Sequence, residues 1–196
     1  AYDTAIESAV SGGFGYFRIN TSYTSDDNFD QDIIIERIAD PFTVYSDPES
    51  ESADGSDWNC CFIVKWLSKD DFKATYKDSE PVDWDALGYT NLTAPWLDGD
   101  QVMVAEYWKR EEVERQIVML SNGTTIAVDE YDDTGLAELG VSPVGQPRTV
   151  KSHKVTQYIL SGAEVLETVE WPGKYIPIVP VYGDEVFYEG KRHLYS

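Results

Sequence analysis

The sequence predicts an α+β chain, predominantly antiparallel β hairpins and meanders with a few short helices. Three observations predict it. Short runs with strand-like alternation flank the turn pairs Asn122-Gly123, Ser161-Gly162 and Glu189-Gly190. The clearest helix start, at Ser68, opens a segment of only a few turns. The stretch from Trp171 to Gly183 carries Pro172, Pro177 and Pro180, which remove backbone donors and confine the segment to an edge strand or a docked extended arm.

In chain order, residues 1–10 mix small and apolar groups in a helix-compatible way, and Ser11-Gly12-Gly13 stops the helix. Phe14 to Tyr23 reads as a strand, Ser25-Asp26-Asp27-Asn28 as a turn, and Ile33 to Ile38 as the returning strand of a hairpin. Residues 46–57 hold Asp47, Glu49, Glu51, Asp54 and Asp57 with no base among them, which predicts a solvated, mobile loop with little to bury. Ser68 before Lys69-Asp70-Asp71 is an N-cap with a carboxylate at the third helical position, the acidic form of a capping box. Leu67 and Phe72 are placed to staple the start of that helix, and Phe72 and Tyr76 share a face, so the helix covers residues 69–77. Lys69, Lys73 and Lys77 line its other side as a solvated face.

After a loop-like stretch over 78–100, Gln101 to Lys109 and Val113 to Ser121 read as two strands, and Asn122-Gly123 turns the chain into Thr124 to Val128. A short helix fits 132–139 with Gly140 as its stop, and Pro143 and Pro147 insulate it from the next strand. Thr149 to Leu160 pairs with Ala163 to Thr168, the proline-punctuated segment comes next, and Glu185 to Tyr188 pairs with Arg192 to Tyr195. A division near residue 100 separates two subdomains, 1–100 and a β-rich 101–196. The first residues start inside helical pattern and the last carry no terminating signal, as in a segment excised from a longer chain.

Apolar residues make up 42% and aromatics 13% of the 196 residues, well above the range of disordered chains. No run of about 18 apolar residues and no secretory signal pattern occurs, which implies a soluble, intracellular chain without a membrane partner. Cys60 and Cys61 are neighbours whose side chains point to opposite faces of a strand, so they do not bridge each other. The 36 acidic residues against 15 basic ones give a net charge of −21. Such a surface repels phosphate, which argues against DNA binding by charge neutralisation, and it opposes self-association at low salt unless good contacts offset it.

Asp26, Asn28, Asp30 and Asp32 have the oxygen spacing of an EF-hand start, but Gln31 stands where the turn needs glycine and Arg37 where the bidentate glutamate belongs. His153 and His193 are far apart and the cysteines lack ligand spacing, so no metal and no cofactor is expected. Gly12-Gly13-Phe14-Gly15 lacks the Lys-Ser/Thr sequel of a phosphate loop, and no nucleophile elbow occurs. The competing reading is a carbohydrate-binding or acid-pair glycoside hydrolase β-domain. Composition does not exclude paired carboxylates, and tryptophans at 58, 66, 84, 96, 108 and 171 could stack on sugars; against it, 36 acidic residues guarantee chance pairs, and tryptophans spread this evenly are more often core and interface anchors.

Five segments carry a family resemblance: Gly13 to Ile19 (GFGYFRI), Asp40 to Pro48 (DPFTVYSDP), Asp54 to Phe62 (DGSDWNCCF), Arg148 to Glu167, and Trp171 to Gly183. With them the chain resembles the portal proteins of short-tailed double-stranded-DNA bacteriophages, over nearly its whole length. The resemblance implies a non-enzymatic structural part of a homo-oligomeric ring, a dodecamer in that family, at one capsid vertex of the virion. It implies a conduit for packaging and ejecting double-stranded DNA, made in the bacterial host cytoplasm. Terminase, capsid or scaffold, and tail adaptor proteins are the implied partners of the full-length chain, and 1–100 becomes a wing-like subdomain. A ring needs one patch to meet a different patch on the next copy. Tyr175, Ile176, Ile178, Val179, Val181 and Tyr182 are the candidate docking surface, with an ordinary packed edge strand as the alternative.

Overall fold

The computed structural model describes residues 1–81, 83, 95–131, 137, 139–162 and 164–196. These fall into two compact units, 1–110 with 155–196, and 111–154.

In the first unit, helix α1 (Tyr2–Gly12) ends where Gly13 adopts φ 87° and donates its N–H to the Ala9 carbonyl, so the expected glycine stop acts as a left-handed cap. Strand β1 (Phe14–Tyr23) follows at once and returns as β2 (Gln31–Arg37), in register from Phe17 opposite Arg37 to Tyr23 opposite Gln31. Gly15 lets α1 lie against this sheet, since a Cβ there would collide with the Ala5 carbonyl. After a 3-10 turn at Pro41–Thr43, capped by the Asp40 carboxylate on the Phe42 N–H, the chain forms β3 (Val44–Ser46) and β4 (Cys60–Ser68).

Residues 46–57 correct the sequence reading. Asp57 accepts hydrogen bonds from the Ser50 hydroxyl at 2.7 Å and the N–H groups of Glu51 and Ser52 at 2.6 and 2.9 Å. Asp47, 8% exposed, accepts from Glu49 and Asn59 N–H. A run of acids without bases looks solvated, yet these two carboxylates turn inward because loop N–H groups need acceptors.

Helix α2 (Lys69–Thr75) starts as expected: the Ser68 hydroxyl accepts from the Asp71 N–H at 3.0 Å, and Leu67 and Tyr76 pack on the fully buried Phe72. Of the stretch 78–100, residues 82 and 84–94 lie outside the described residues. Strand β5 (Leu97–Asp98) leads into β6 (Gln101–Leu120), one strand of 20 residues where two were expected. Arg110-Glu111-Glu112 interrupts the apolar alternation without any glycine or proline, so it marks exposure and not a chain break.

β6 continues into the second unit, where β7 (Thr125–Ala127) pairs with it from Ile117 opposite Ala127, after a turn in which Gly123 takes φ 85°. A single helical turn, α3 (Val128–Tyr131), comes next; most of the helix expected over 132–139 lies outside the described residues. Arg115 pairs with Glu130 at 2.7 Å, Lys151 with Glu112 at 2.9 Å, and the Tyr131 hydroxyl donates to the Val141 carbonyl.

Strand β8 (Pro143–Ser161) begins six residues earlier than expected and contains both prolines. Its ladder with β9 (Glu164–Trp171) starts only at Val155, so before that point β8 has no β9 neighbour, and proline is tolerated at such an edge. Residue 163 of the expected return strand lies outside the described residues. Strand β10 (Ile178–Tyr182) joins β1 in the sheet order β10-β1-β2, and β11 (Asp184–Tyr188) with β12 (Lys191–Tyr195) closes the chain as a hairpin. The larger sheet runs β3-β4-β6-β8-β9. The main core lies in the first unit and includes Tyr16, Trp58, Cys61, Trp108, Val155 and Ile178.

Candidate docking groove beside the proline edge strand

β10 is an edge strand, as the prolines require, and Pro180 sits opposite Tyr16 where its missing N–H costs no ladder bond on the open side. Before it, the chain doubles back on the Trp171 indole. A Cβ on Gly173 would stand 2.5 Å from Trp171 Nε1, so glycine permits that approach. Trp171 in turn meets Trp108 edge-on at 5.8 Å, and the Pro177 carbonyl accepts the Ile19 N–H at 2.8 Å.

The six residues singled out from the sequence divide between two environments. Ile176 and Ile178 are 4% and 1% exposed and belong to the core. Val179, Val181 and Tyr182 are half-buried, and Tyr175 is exposed. Tyr182 is tied down from below: Arg192 donates to its hydroxyl at 3.0 Å and lies over its ring at 4.6 Å. Burial of the Tyr182 phenol raises its pKa despite that nearby guanidinium. Tyr16, buried below, is pushed up to about 12 by burial, and burial also drives the Cys61 thiol up. Cys61 is therefore a packed thiol and not a nucleophile, and both cysteines are free.

A hollow of about 700 Å³ opens beside Tyr175 and Val179. Ile19, Trp171, Ile176 and Pro177 form its apolar lining, and Asp54, Ser56 and Lys174 are its polar lining. Arg110 reinforces the rim, with its guanidinium 5.3 Å from the Tyr175 ring centre and one nitrogen donating to the Ser56 carbonyl at 2.8 Å. A second hollow, of about 420 Å³, holds a polar cluster around Glu106. That carboxylate accepts from Arg18, from Trp108 Nε1 at 2.6 Å and from Gln157 Nε2 at 2.9 Å. Three donors on one carboxylate make a structural clamp.

Sequence reasoning missed the Glu106 cluster, because its donors come from three strands far apart in the chain. It also passed over Phe29, which is 94% exposed at the β1–β2 tip; the available signal was a lone aromatic among aspartates in a turn. Of the tryptophans offered as sugar platforms, Trp58 and Trp108 are core residues, Trp66 is 40% exposed, and residue 84 lies outside the described residues. Lys69 donates to the Gly99 carbonyl and Lys73 pairs with Glu80 at 3.4 Å on the outer side of α2. Among the described residues no group of His, Cys, Asp or Glu is arranged to hold a metal, and no helix is long and apolar enough to cross a membrane.

The model of the phage P22-like portal protein family matches residues 1–196. The chain belongs to that family. A portal protein of Acyrthosiphon pisum secondary endosymbiont phage 1 is 31% identical over 199 residues, covering 95% of this chain and 27% of the relative. This portal-family chain therefore spans about a quarter of the length of the curated relative it matches.

Proposed function

We propose that the chain is the wing-like part of a subunit in a closed ring at one capsid vertex of a short-tailed phage, a conduit through which double-stranded DNA is packaged and ejected. The single observation that carries this reading is the family match over the whole chain. The role is structural and not catalytic. The net charge of −21 supports it, since a conduit that neutralised phosphates tightly would brake a sliding duplex. Of the expected docking surface, Tyr175 and Val179 are accessible and line the hollow beside β10, while Val181 and Tyr182 are half-buried away from it. A dodecameric ring, contacts of the complete protein with terminase, capsid or scaffold, and tail adaptor, synthesis in the host cytoplasm, and the division of this segment near residue 100 belong to the same proposal.

Electron microscopy of the purified complete protein tests it. The expected result is closed rings with an open axial channel. Monodisperse single subunits at all salt concentrations and protein concentrations would end the reading.

A further inference from the structure

The β1–β2 hairpin carries a tip that its own unit does not use. Phe29 is 94% exposed, and Tyr23 and Ile33 beneath it are 60% and 75% exposed. The tip is nevertheless built: the Thr24 N–H donates to the Asp30 carbonyl at 3.0 Å, and the Thr24 hydroxyl and Asn28 side chain are hydrogen-bonded at 2.9 Å. An aromatic side chain held out on a hydrogen-bonded turn is a knob that lacks a hole. Its surroundings are purely acidic. Between Tyr23 and Glu36 the charged residues are Asp26, Asp27, Asp30, Asp32 and Glu36, with no base.

The hollow beside Tyr175 has the opposite character. Its base is apolar, and about 700 Å³ falls in the range that accepts a small ligand or an inserted side chain. Lys174 on its lining is exposed and forms no ion pair among the described residues, and Arg110 stands over Tyr175. The carboxylate of Asp54, the acid on the lining, already accepts the Ser56 N–H at 3.0 Å. In a chain of net charge −21, a rim on which Lys174 and Arg110 outnumber the carboxylate of Asp54 complements an acid-flanked phenyl group.

Phe29 does not reach this hollow in its own copy. The hollow touches β1 at Ile19, and Tyr23 stands four strand residues further on, roughly 13 Å away, with the tip beyond it. Folding back would break the ladder from Ile19 opposite Ile35 to Tyr23 opposite Gln31. Knob and hole therefore sit at different places on one chain, the arrangement of a heterologous contact that repeats around a ring.

We infer that Phe29 of one copy seats in the hollow beside Tyr175 of the next, with the flanking aspartates facing Lys174 and Arg110. This contact deepens the ring reading and rests on it. The test uses the complete protein carrying both Phe29→Cys and Tyr175→Cys, oxidised mildly and run on a non-reducing gel. The expected result is a ladder of covalent oligomers up to the full ring, absent from each single variant and from the parent with its native Cys60 and Cys61. In the same protein Lys174→Glu raises the concentration needed for half-assembly several-fold at low salt, and adding Asp30→Lys restores it. Rings by microscopy without a ladder, together with unchanged assembly of Phe29→Ala, would give the hollow to some other occupant and overturn the contact while the ring stands. If the parent itself forms no rings, the ring reading fails and the contact fails with it.

Discussion

Gly55 lies directly against Trp58: a Cβ added at Gly55 would stand 3.1 Å from Cε2 of the buried indole, with Cδ of Pro180 closing the other side at 3.0 Å. The same glycine takes φ 69°, a backbone conformation that other residues adopt at a cost. Gly55→Ala should therefore destabilise the fold by about 1–3 kcal/mol through strain and crowding together. A lowered urea midpoint with unchanged slope is the expected readout.

Glu106 gathers donors from Arg18, Trp108 and Gln157. Its side chain is 16% exposed and that of Arg18 21%, so Glu106→Ala leaves a largely buried guanidinium with its main partner gone. The expected loss is about 2–4 kcal/mol, somewhat less than for a fully buried pair. The double variant Arg18→Met with Glu106→Leu should recover much of it, because an apolar pair has no charge to strand. Equilibrium unfolding of the three proteins checks the order.

Burial works against the charge of Asp57, but hydrogen bonds from Ser50, Ser52 and Glu51 outweigh it and hold the carboxyl below the usual range. A carboxyl depressed in the folded state contributes stability that is complete above its unfolded value, about 3.9, and is lost as pH falls through the folded value. Stability should therefore fall on acidification from about pH 5 downward. Asp57→Asn should be less stable at neutral pH and show a shallower decline, as measured by unfolding free energy at stepwise lower pH.

The Ser68 hydroxyl caps α2 through the Asp71 N–H. Ser68→Ala should cost about 1 kcal/mol and Ser68→Thr much less, measured by thermal unfolding. Reversing Lys73 on that helix and Lys77 in the turn just after it to glutamate should leave ring assembly by the complete protein intact, since these side chains are exposed. Lost assembly in sedimentation would place that face in an interface.

The capped start of α2 and the Gly13 stop of α1 were legible because a cap is decided by three or four neighbouring residues. Strand continuity was less so. Charged residues in mid-strand mimic a break in β6, and Pro143 and Pro147 mimic one early in β8, yet both strands run past these signals because neighbouring strands, distant in sequence, supply their hydrogen bonds. The acidic loop misled for a related reason: whether a carboxylate meets water or loop N–H groups depends on where the chain turns.

By itself the sequence determined the turns, the caps, the edge position of the proline-bearing strand and the family. Tertiary packing alone decided which face of that strand is covered. From residue 175 onward the chain alternates, and its period of two presents two apolar faces that composition cannot tell apart. Ile176, Ile178 and Pro180 point into a core built with Trp58 and Tyr16, while Tyr175 and Val179 are left to border the groove. Burial of a face is settled by what folds against it, and those partners lie more than a hundred residues away in the chain.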